Sequence, residues 1–292
     1  MKKGPGTPKG FRDIDPALAI KRRMVIGKIA EVLEEFEFLP METPTVEFAE
    51  VLLGKYGEDE RLIYQFTDRG GRKLALRYDL TLPLARYLAN NPRLLSSVFR
   101  RYQIGQVFRG EKPQKGRWRE FTQFDFDTTG DGTLAEDAKI IAAAISSAKN
   151  LGLSKVKMAV NDRKSFVGLS AEEIRQIDKI HKIGRDKIEK KLLDVIEELT
   201  ATPGLTEIFG FLEKTYDLKE GKDFFFDPTL ARGLDYYTST IFELKPFGAP
   251  EELSVGGGGR YDNLIGMFAG KSVPAVGFSF GLDRLISLLP NE

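Results

Sequence analysis

Arg232-Gly233-Leu234-Asp235-Tyr236-Tyr237-Thr238 sets a fixed cation, a flexible joint, a carboxylate and two adjacent phenols directly before a β-type run, residues 238–244. A strand edge with a buried tyrosine pair would look the same, so this stretch carries chemistry only if other polar groups converge on it. Residues 108–127 offer such groups. Lys112, Lys115, Arg117 and Arg119 crowd a loop containing Pro and Gly, and guanidinium forks match the oxygens of a phosphate. The run after the loop alternates. Thr122, Phe124 and Phe126 share one face of a strand, while Phe121, Gln123, Asp125 and Asp127 share the other. The first set suits a core. The second is an amide, two carboxylates and a ring, which water or a small polar ligand must satisfy. An exposed strand face would do so without any function.

Leu76-Arg77-Tyr78-Asp79-Leu80-Thr81 places an acid and a hydroxyl where a strand gives way to a helix, as a helix N-cap also would. In Gly256-Gly257-Gly258-Gly259-Arg260-Tyr261-Asp262 the glycines let a backbone approach a neighbour closely, or form a bulge or turn. In residues 277–285, Arg284 falls in the first turn of an apolar-faced helix. An arginine there is usually a surface charge, but the helix dipole gives it nothing at that end, a mild misplacement that would suit a specific anion for it to meet.

The bulk numbers narrow the classes. The 292 residues are 41% hydrophobic and 30% charged, the make-up of an ordinary globular protein with a sizeable core. A net charge of +1 gives no global attraction to nucleic acid or membrane, so such a partner must meet a local patch. The lack of cysteine excludes disulfides and thiolate metal sites. The single histidine, His181, lies in a lysine-rich helical run and reads as a solvated surface group, leaving no His-based triad or His-rich metal site. No apolar run approaches the ~20 residues of a membrane span. The start of the chain lacks the apolar region of a signal peptide, so a cytoplasmic protein is expected. Gly270-Lys271-Ser272 looks like the end of a P-loop, but Ile265 stands where its first glycine belongs, and no G-x-G-x-x-G follows a strand. The common glycine-loop modes of nucleotide binding are thus disfavoured.

These groups need a frame. Asp15-Pro16 pairs an N-cap acid with a proline at the first helical position. Ile20, Met24, Ile29, Val32, Leu33 and Phe36 then recur at helical spacing, opposite a charged face. Pro40 and Pro44 bracket a short extended segment. Residues 63–67 and 73–76 flank Asp68-Arg69-Gly70-Gly71 as a hairpin, and a helix follows over 81–90. Strands over 99–109 and 120–127 hold the basic loop. Residues 134–151 form a helix closed by Gly152, and 156–160 a strand. From Ala171 to about Glu220 the chain turns helical and densely charged, as an insertion would. Strands return at 224–227, 238–244 and 275–280, and 281–289 closes as a helix. Strands joined largely by hairpins, with helices grouped between them, predict an α+β fold on a mostly antiparallel sheet. The expected division is residues 1–165, a helical insertion over 166–222, and 223–292.

Together these motifs resemble the catalytic domain of histidine–tRNA ligases, which are class II aminoacyl-tRNA synthetases, over residues 9–289. Phe108-Arg109 with Arg119-Glu120-Phe121 is similar to class II motif 2, residues 277–285 with Arg284 to motif 3, and the segment ending at Pro44 to motif 1. Those motifs are individually loose. Residues 232–238 and Gly258-Gly259-Arg260-Tyr261-Asp262 resemble the two signatures particular to the histidine enzyme and are specific; Lys55-Tyr56-Gly57-Glu58-Asp59 leans toward its eukaryotic-type branch. The resemblance implies that Asp79, Thr81 and Gln123 hold the histidine α-amino group. It implies that Asp127 and Tyr237 read the imidazole, with Tyr236 and Tyr261 lining the pocket. Arg109 would grip the ATP α-phosphate together with Arg232, Phe121 would pack on adenine, and Arg284 would meet the far end of ATP. Glu111, Arg117 and Arg119 match further ATP-site positions, and Gln114 and Lys115 fall where the tRNA(His) acceptor end is met. ATP as substrate, Mg2+ with it, no metal held by protein side chains, and a homodimer through motif 1 are implied too. The family's C-terminal anticodon-binding domain has no counterpart here, and the segment after Ser165 is shorter than usual. Two functions fit the resemblance: activation of histidine by ATP, or histidine binding by an inactive paralogue such as the regulatory subunit of ATP phosphoribosyltransferase. Retention of Arg109, Arg232 and Arg284 favours the enzyme.

Overall fold

The computed structural model describes residues 6–112, 117–232, 236–246 and 254–290, without the side chains of Glu58, Ala171, His181 and Lys182. Gln114, Lys115, residues 233–235 and the side chain of His181 therefore lie outside the described residues.

Helix α1 (Pro16–Glu35) starts as its sequence predicts, with the Asp15 carboxylate accepting from the Leu18 N–H and Pro16 in the first turn. Its buried residues are Val25, Ile29, Val32 and Leu33. Ile20 and Met24, expected on that face, are exposed instead. At about 100° per residue the two are in phase with each other but roughly opposite the buried stripe. Next come β1 (Leu39–Pro40), β2 (Val46–Phe48), α2 (Ala49–Leu52), β3 (Gln65–Thr67) and β4 (Lys73–Leu76). The β3–β4 hairpin turns on Asp68, whose carboxylate accepts from the N–H groups of Gly70 and Arg72, while Gly71 takes φ +79°. Helix α3 (Thr81–Ala89) leads into the long antiparallel pair β5 (Phe99–Phe108) and β6 (Glu120–Thr129). Helix α4 (Leu134–Asn150) is stopped by Gly152 at φ +81° and followed by β7 (Val156–Asp162).

The charged segment holds α5 (Ala171–Asp178), α6 (Ile180–Ile183), α7 (Lys190–Glu198) and α8 (Pro203–Tyr216). Ile177, Ile180, Ile188, Leu192 and Ile196 gather in a small core of their own, against Phe166 and Ala231. Helix α8 does not join them. It packs on α4 and gives Leu205, Ile208, Phe209 and Leu212 to the main core. The chain ends with β8 (Phe224–Phe226), β9 (Thr240–Pro246), β10 (Gly256–Arg260), α9 (Gly266–Ala269), β11 (Ala275–Gly281) and α10 (Leu282–Ser287).

Two sheets result. The larger has eight strands in the order β1-β5-β6-β11-β10-β9-β7-β8, and the smaller has the order β2-β4-β3. Among the described strands only the edge pairs β1–β5 and β7–β8 are parallel, so the large sheet is mostly antiparallel, as predicted. Its core face is aromatic: Phe124, Phe126, Phe242, Phe278 and Phe280 are buried under Ile29, Leu33, Ile141 and Ile145 of α1 and α4. The glycine run is neither turn nor bulge but the central strand β10, paired on both sides by β9 and β11. At its end Arg260 is buried and ion-paired with Asp137 of α4, and its Nη2 also donates to the Thr133 carbonyl at 3.1 Å. No helix of the described residues is long and apolar enough to cross a membrane.

Candidate active site

Register orders the other face of the sheet into ranks. Arg101 of β5, Asp127 of β6, Gly277 of β11 and Gly259 of β10 stand abreast; beside them run Gln103, Asp125, Ser279 and Gly257, then Gly105, Gln123 and Gly281. The polar face of β6 is therefore not a solvated strand surface: Gln123, Asp125 and Asp127 are 9%, 2% and 3% exposed. They floor a cavity of about 330 Å³, within the size range of small-molecule sites.

One end of this cavity is rich in acceptors. The Asp79 carboxylate accepts from the N–H groups of Thr81 and Leu82, both at 3.1 Å. From just before the Leu80 N-cap it satisfies the first N–H groups of α3 and lines the cavity at once. Burial raises its pKa, opposed by the Leu82 N–H, the Arg109 charge, the Tyr56 hydroxyl and the Thr81 N–H. Asp127 accepts from the Tyr261 hydroxyl and is ion-paired with Arg101, Nη2 to Oδ2, at 2.6 Å. Burial pushes its pKa up too, with Arg101 and then Tyr261 pulling it back. Arg101 is fully buried and also donates to the Leu80 carbonyl at 3.3 Å, tying β6 to the start of α3. A Cβ on Gly277 would lie 1.8 Å from Asp127 Oδ1, so this carboxylate has room only beside glycine. Tyr236 lies tilted against Tyr237, ring centroids 4.7 Å apart, and meets Tyr261 edge-on at 6.0 Å, forming the wall.

The other end gathers cations. The Arg109 guanidinium lies 4.3 Å from the Tyr78 ring and 5.1 Å from the Phe121 ring, and its Nε donates to the Tyr78 carbonyl at 3.2 Å. Arg232 takes the left-handed conformation, φ +48°, uncommon for a residue with a Cβ. Its Nη1 donates to the Phe242 carbonyl at 3.1 Å, and Glu243 stands 3.7 Å away. A Cβ on Gly257 would fall 1.6 Å from that Nη1, so the glycine strand is what lets Arg232 lie across it. Arg284 donates to the Ser254 carbonyl at 3.2 Å. Burial works against its charge, nearby Arg117 and Arg109 add to that effect, and its pKa is lowered although Glu111 and Glu243 oppose. An anion arriving there would relieve it.

All but one of the sequence-predicted residues within the described set line the cavity; Asp79, Thr81, Gln123 and Asp127 fall at the acceptor end and Glu111, Arg117, Phe121 and Arg284 toward the cations. Arg119 does not. Its guanidinium donates to the carbonyls of Glu111, at 3.0 Å, and Lys9, at 3.2 Å, fastening the base of the basic loop. Sequence reasoning missed Arg101, Ser279 and Glu243. Arg101 and Gln103 alternate on β5 as Asp125 and Asp127 do on β6, and pairing the two patterns across the hairpin would have found Arg101. Among the described residues no three acidic or histidine side chains cluster as a metal site.

A mostly antiparallel sheet with α1 and α4 packed on one face and this two-ended cavity on the other is the catalytic fold of class II aminoacyl-tRNA synthetases. A family model described as histidyl-tRNA synthetase matches residues 10–216 and 162–285. The chain is 40% identical to the histidine–tRNA ligase of Aeropyrum pernix over 97% of its own length and 73% of the relative's. It is 38% identical to that of Treponema denticola, over 98% and 73%. The crystal structure of histidyl-tRNA synthetase from Nostoc sp. PCC 7120 matches with a TM-score of 0.81 and 29% identity, over 99% of this chain and 76% of that one. A Bacillus halodurans structure described as an ATP phosphoribosyltransferase regulatory subunit/histidyl-tRNA synthetase matches with a TM-score of 0.84 and 25% identity, over 100% and 85%. The chain belongs to the histidyl-tRNA synthetase family.

Proposed function

We propose that the chain activates histidine with ATP, giving histidyl-adenylate and pyrophosphate, for transfer to tRNA(His). The observation that carries this reading is Arg232, a guanidinium fixed by an unusual backbone angle and a glycine neighbour, whose nearest carboxylate among the described residues is Glu243 at 3.7 Å. A protein that only bound an amino acid would have little use for it. In the reaction a histidine carboxylate oxygen bonds to the α-phosphorus, the bond to the pyrophosphate oxygen breaks, and charge grows on the phosphate oxygens. Arg109 and Arg232 stabilise that charge without an enzyme base, and Arg284 meets the departing end. Phe121 packs on adenine, and Glu111 and Arg117 border the nucleotide. Magnesium entering with ATP would lower the phosphate charge, and among the described residues Glu111 and Glu243 are carboxylates on that side that would meet it.

At the acceptor end Asp79, Thr81 and Gln123 hold the α-amino group. Asp127, its charge supported by Arg101, accepts from one imidazole nitrogen, and Tyr237 meets the other. A side chain lacking these nitrogens leaves buried polar groups unpaired, which is a strong basis for rejection. Gln114 and Lys115 belong to the loop that would meet the tRNA acceptor end, and a homodimer and a cytoplasmic setting accompany the reading.

The test is histidine-dependent exchange of pyrophosphate into ATP. Exchange is expected in the wild type, and Arg232→Ala should abolish it while changing histidine affinity far less. Loss of binding and exchange together would make Arg232 a ground-state contact. The Bacillus halodurans neighbour favours a second reading, a histidine-binding regulatory subunit. Histidine binding with no exchange above background would establish it in place of the first.

A further inference from the structure

The roles above leave Asp125 and Ser279, which continue a chain of polar groups from Gln123 across β6 and β11, unexplained. Gln123 Nε2 donates to Ser279 Oγ at 2.7 Å, and the Ser279 hydroxyl hydrogen-bonds in turn to Asp125, its direct partner across the two strands. A hydroxyl that accepts from an amide still has one proton to give, and the carboxylate takes it. That order fixes the amide, with its nitrogen toward Ser279 and its oxygen away. Gln123 Oε1 and Asp125 Oδ1 then remain as buried acceptors with no partner among the described residues. Bare buried acceptors are costly. Two of them joined through one serine, beside Asp79, make a place for a group that carries several N–H donors and a positive charge.

We propose that Asp125 and Ser279 complete the subsite for the α-ammonium group of the bound amino acid: Asp125 Oδ1 and Gln123 Oε1 accept from it, and Ser279 holds both in that arrangement. The inference rests on histidine being the ligand. Asp125 is then a substrate-binding residue and Ser279 a positioning residue. The groups that face Asp125 are Arg101 and Arg77 from the β5 side, Asp127 along β6, Asp79 before α3, Tyr237 before β9 and Ser279 on β11. Burial outweighs the Arg101 charge and raises the Asp125 pKa to about 7. The ammonium supplies the cation that keeps it ionised.

Two analogues separate the ends of the ligand. Histidinol keeps the ammonium and the ring; imidazolepropionate keeps the ring and the carboxylate but has no amine. Calorimetry on the whole chain should show histidinol bound at least about tenfold more weakly by Asp125→Asn, the usual order for a hydrogen bond to a charged group. Imidazolepropionate should bind the variant and the wild type within about twofold of each other. Ser279→Ala should show the same selectivity at smaller size, with pyrophosphate exchange losing in KM for histidine rather than in kcat. Equal weakening of both analogues by Asp125→Asn, which is isosteric and expected to fold, would overturn the assignment. So would full retention of histidinol affinity. A wild type that binds neither histidine nor histidinol would overturn the histidine reading itself, and this inference with it.

Discussion

Asp125 shows how a binding group and a stable fold pull against each other at one residue. Its carboxyl is fully buried with its pKa raised to about 7, well above the value near 3.9 of an unfolded chain. Between those values the folded protein holds a proton that the unfolded chain has released, so stability falls as pH rises from about 4 to about 7. The loss is on the order of a few kcal/mol. Asp125→Asn, with no charge to bury, should melt at a higher temperature than the wild type at pH 8 without ligand, and the gap should narrow as pH drops to 5. A gap of the same size at both pH values would mean that the carboxylate is not the source. A variant that is more stable and binds its ligand worse would mark the acid as kept for function.

At the scale of elements, glycines on adjacent strands serve opposite ends of the cavity. Gly277→Ala on β11 would drive a methyl into Asp127 Oδ1, and Gly257→Ala on β10 would drive one into Arg232 Nη1. The first should raise the KM for histidine at least about tenfold. The second should depress kcat of exchange with histidine affinity largely kept, because the displaced group is the tip of a flexible side chain on the phosphate side. Two variants with the same kinetic signature would argue against a division of the cavity. Strands and helices were largely legible in the sequence: the Asp15 cap, the Asp68–Gly71 turn and the alternation of β6 each have a local cause, and each formed where that cause placed it. Ile20 and Met24 were misassigned because their mutual spacing is helical but their phase belongs to the outer face. The glycine strand was illegible as a strand, since residues without side chains carry no period and β10 is held only by its neighbours. The acceptor end of the cavity was half legible. Gln123 and Asp127 announced themselves by alternation, whereas Arg101 and Ser279 acquire meaning only when β5, β6 and β11 lie side by side.

At the scale of the molecule, the small sheet turns an apolar face outward. Val46, Phe48 and Phe66 are exposed, and Phe48 and Phe66 flank Leu74 across β4. Such a face fits the homodimer that we propose. Sedimentation should find a dimer for the wild type and a monomer for Phe48→Glu combined with Phe66→Glu; a monomeric wild type at micromolar concentration would end that reading. A different dependence runs through the interior. Between Val255 and Arg260, strand β10 carries no side chain of its own to set its register, and glycine-rich strands are prone to slip. The clamp of Arg260 on Asp137 and the Thr133 carbonyl, on the helix side of the sheet, anchors its end, together with the Tyr261 N–H on the Ala275 carbonyl. Released, the strand could carry the adjacent Tyr261 off Asp127 and out of the cavity. The aim of a phenol in the cavity thus depends on an ion pair that no ligand touches, and damage to that pair would read as lost specificity before it read as an unfolded protein.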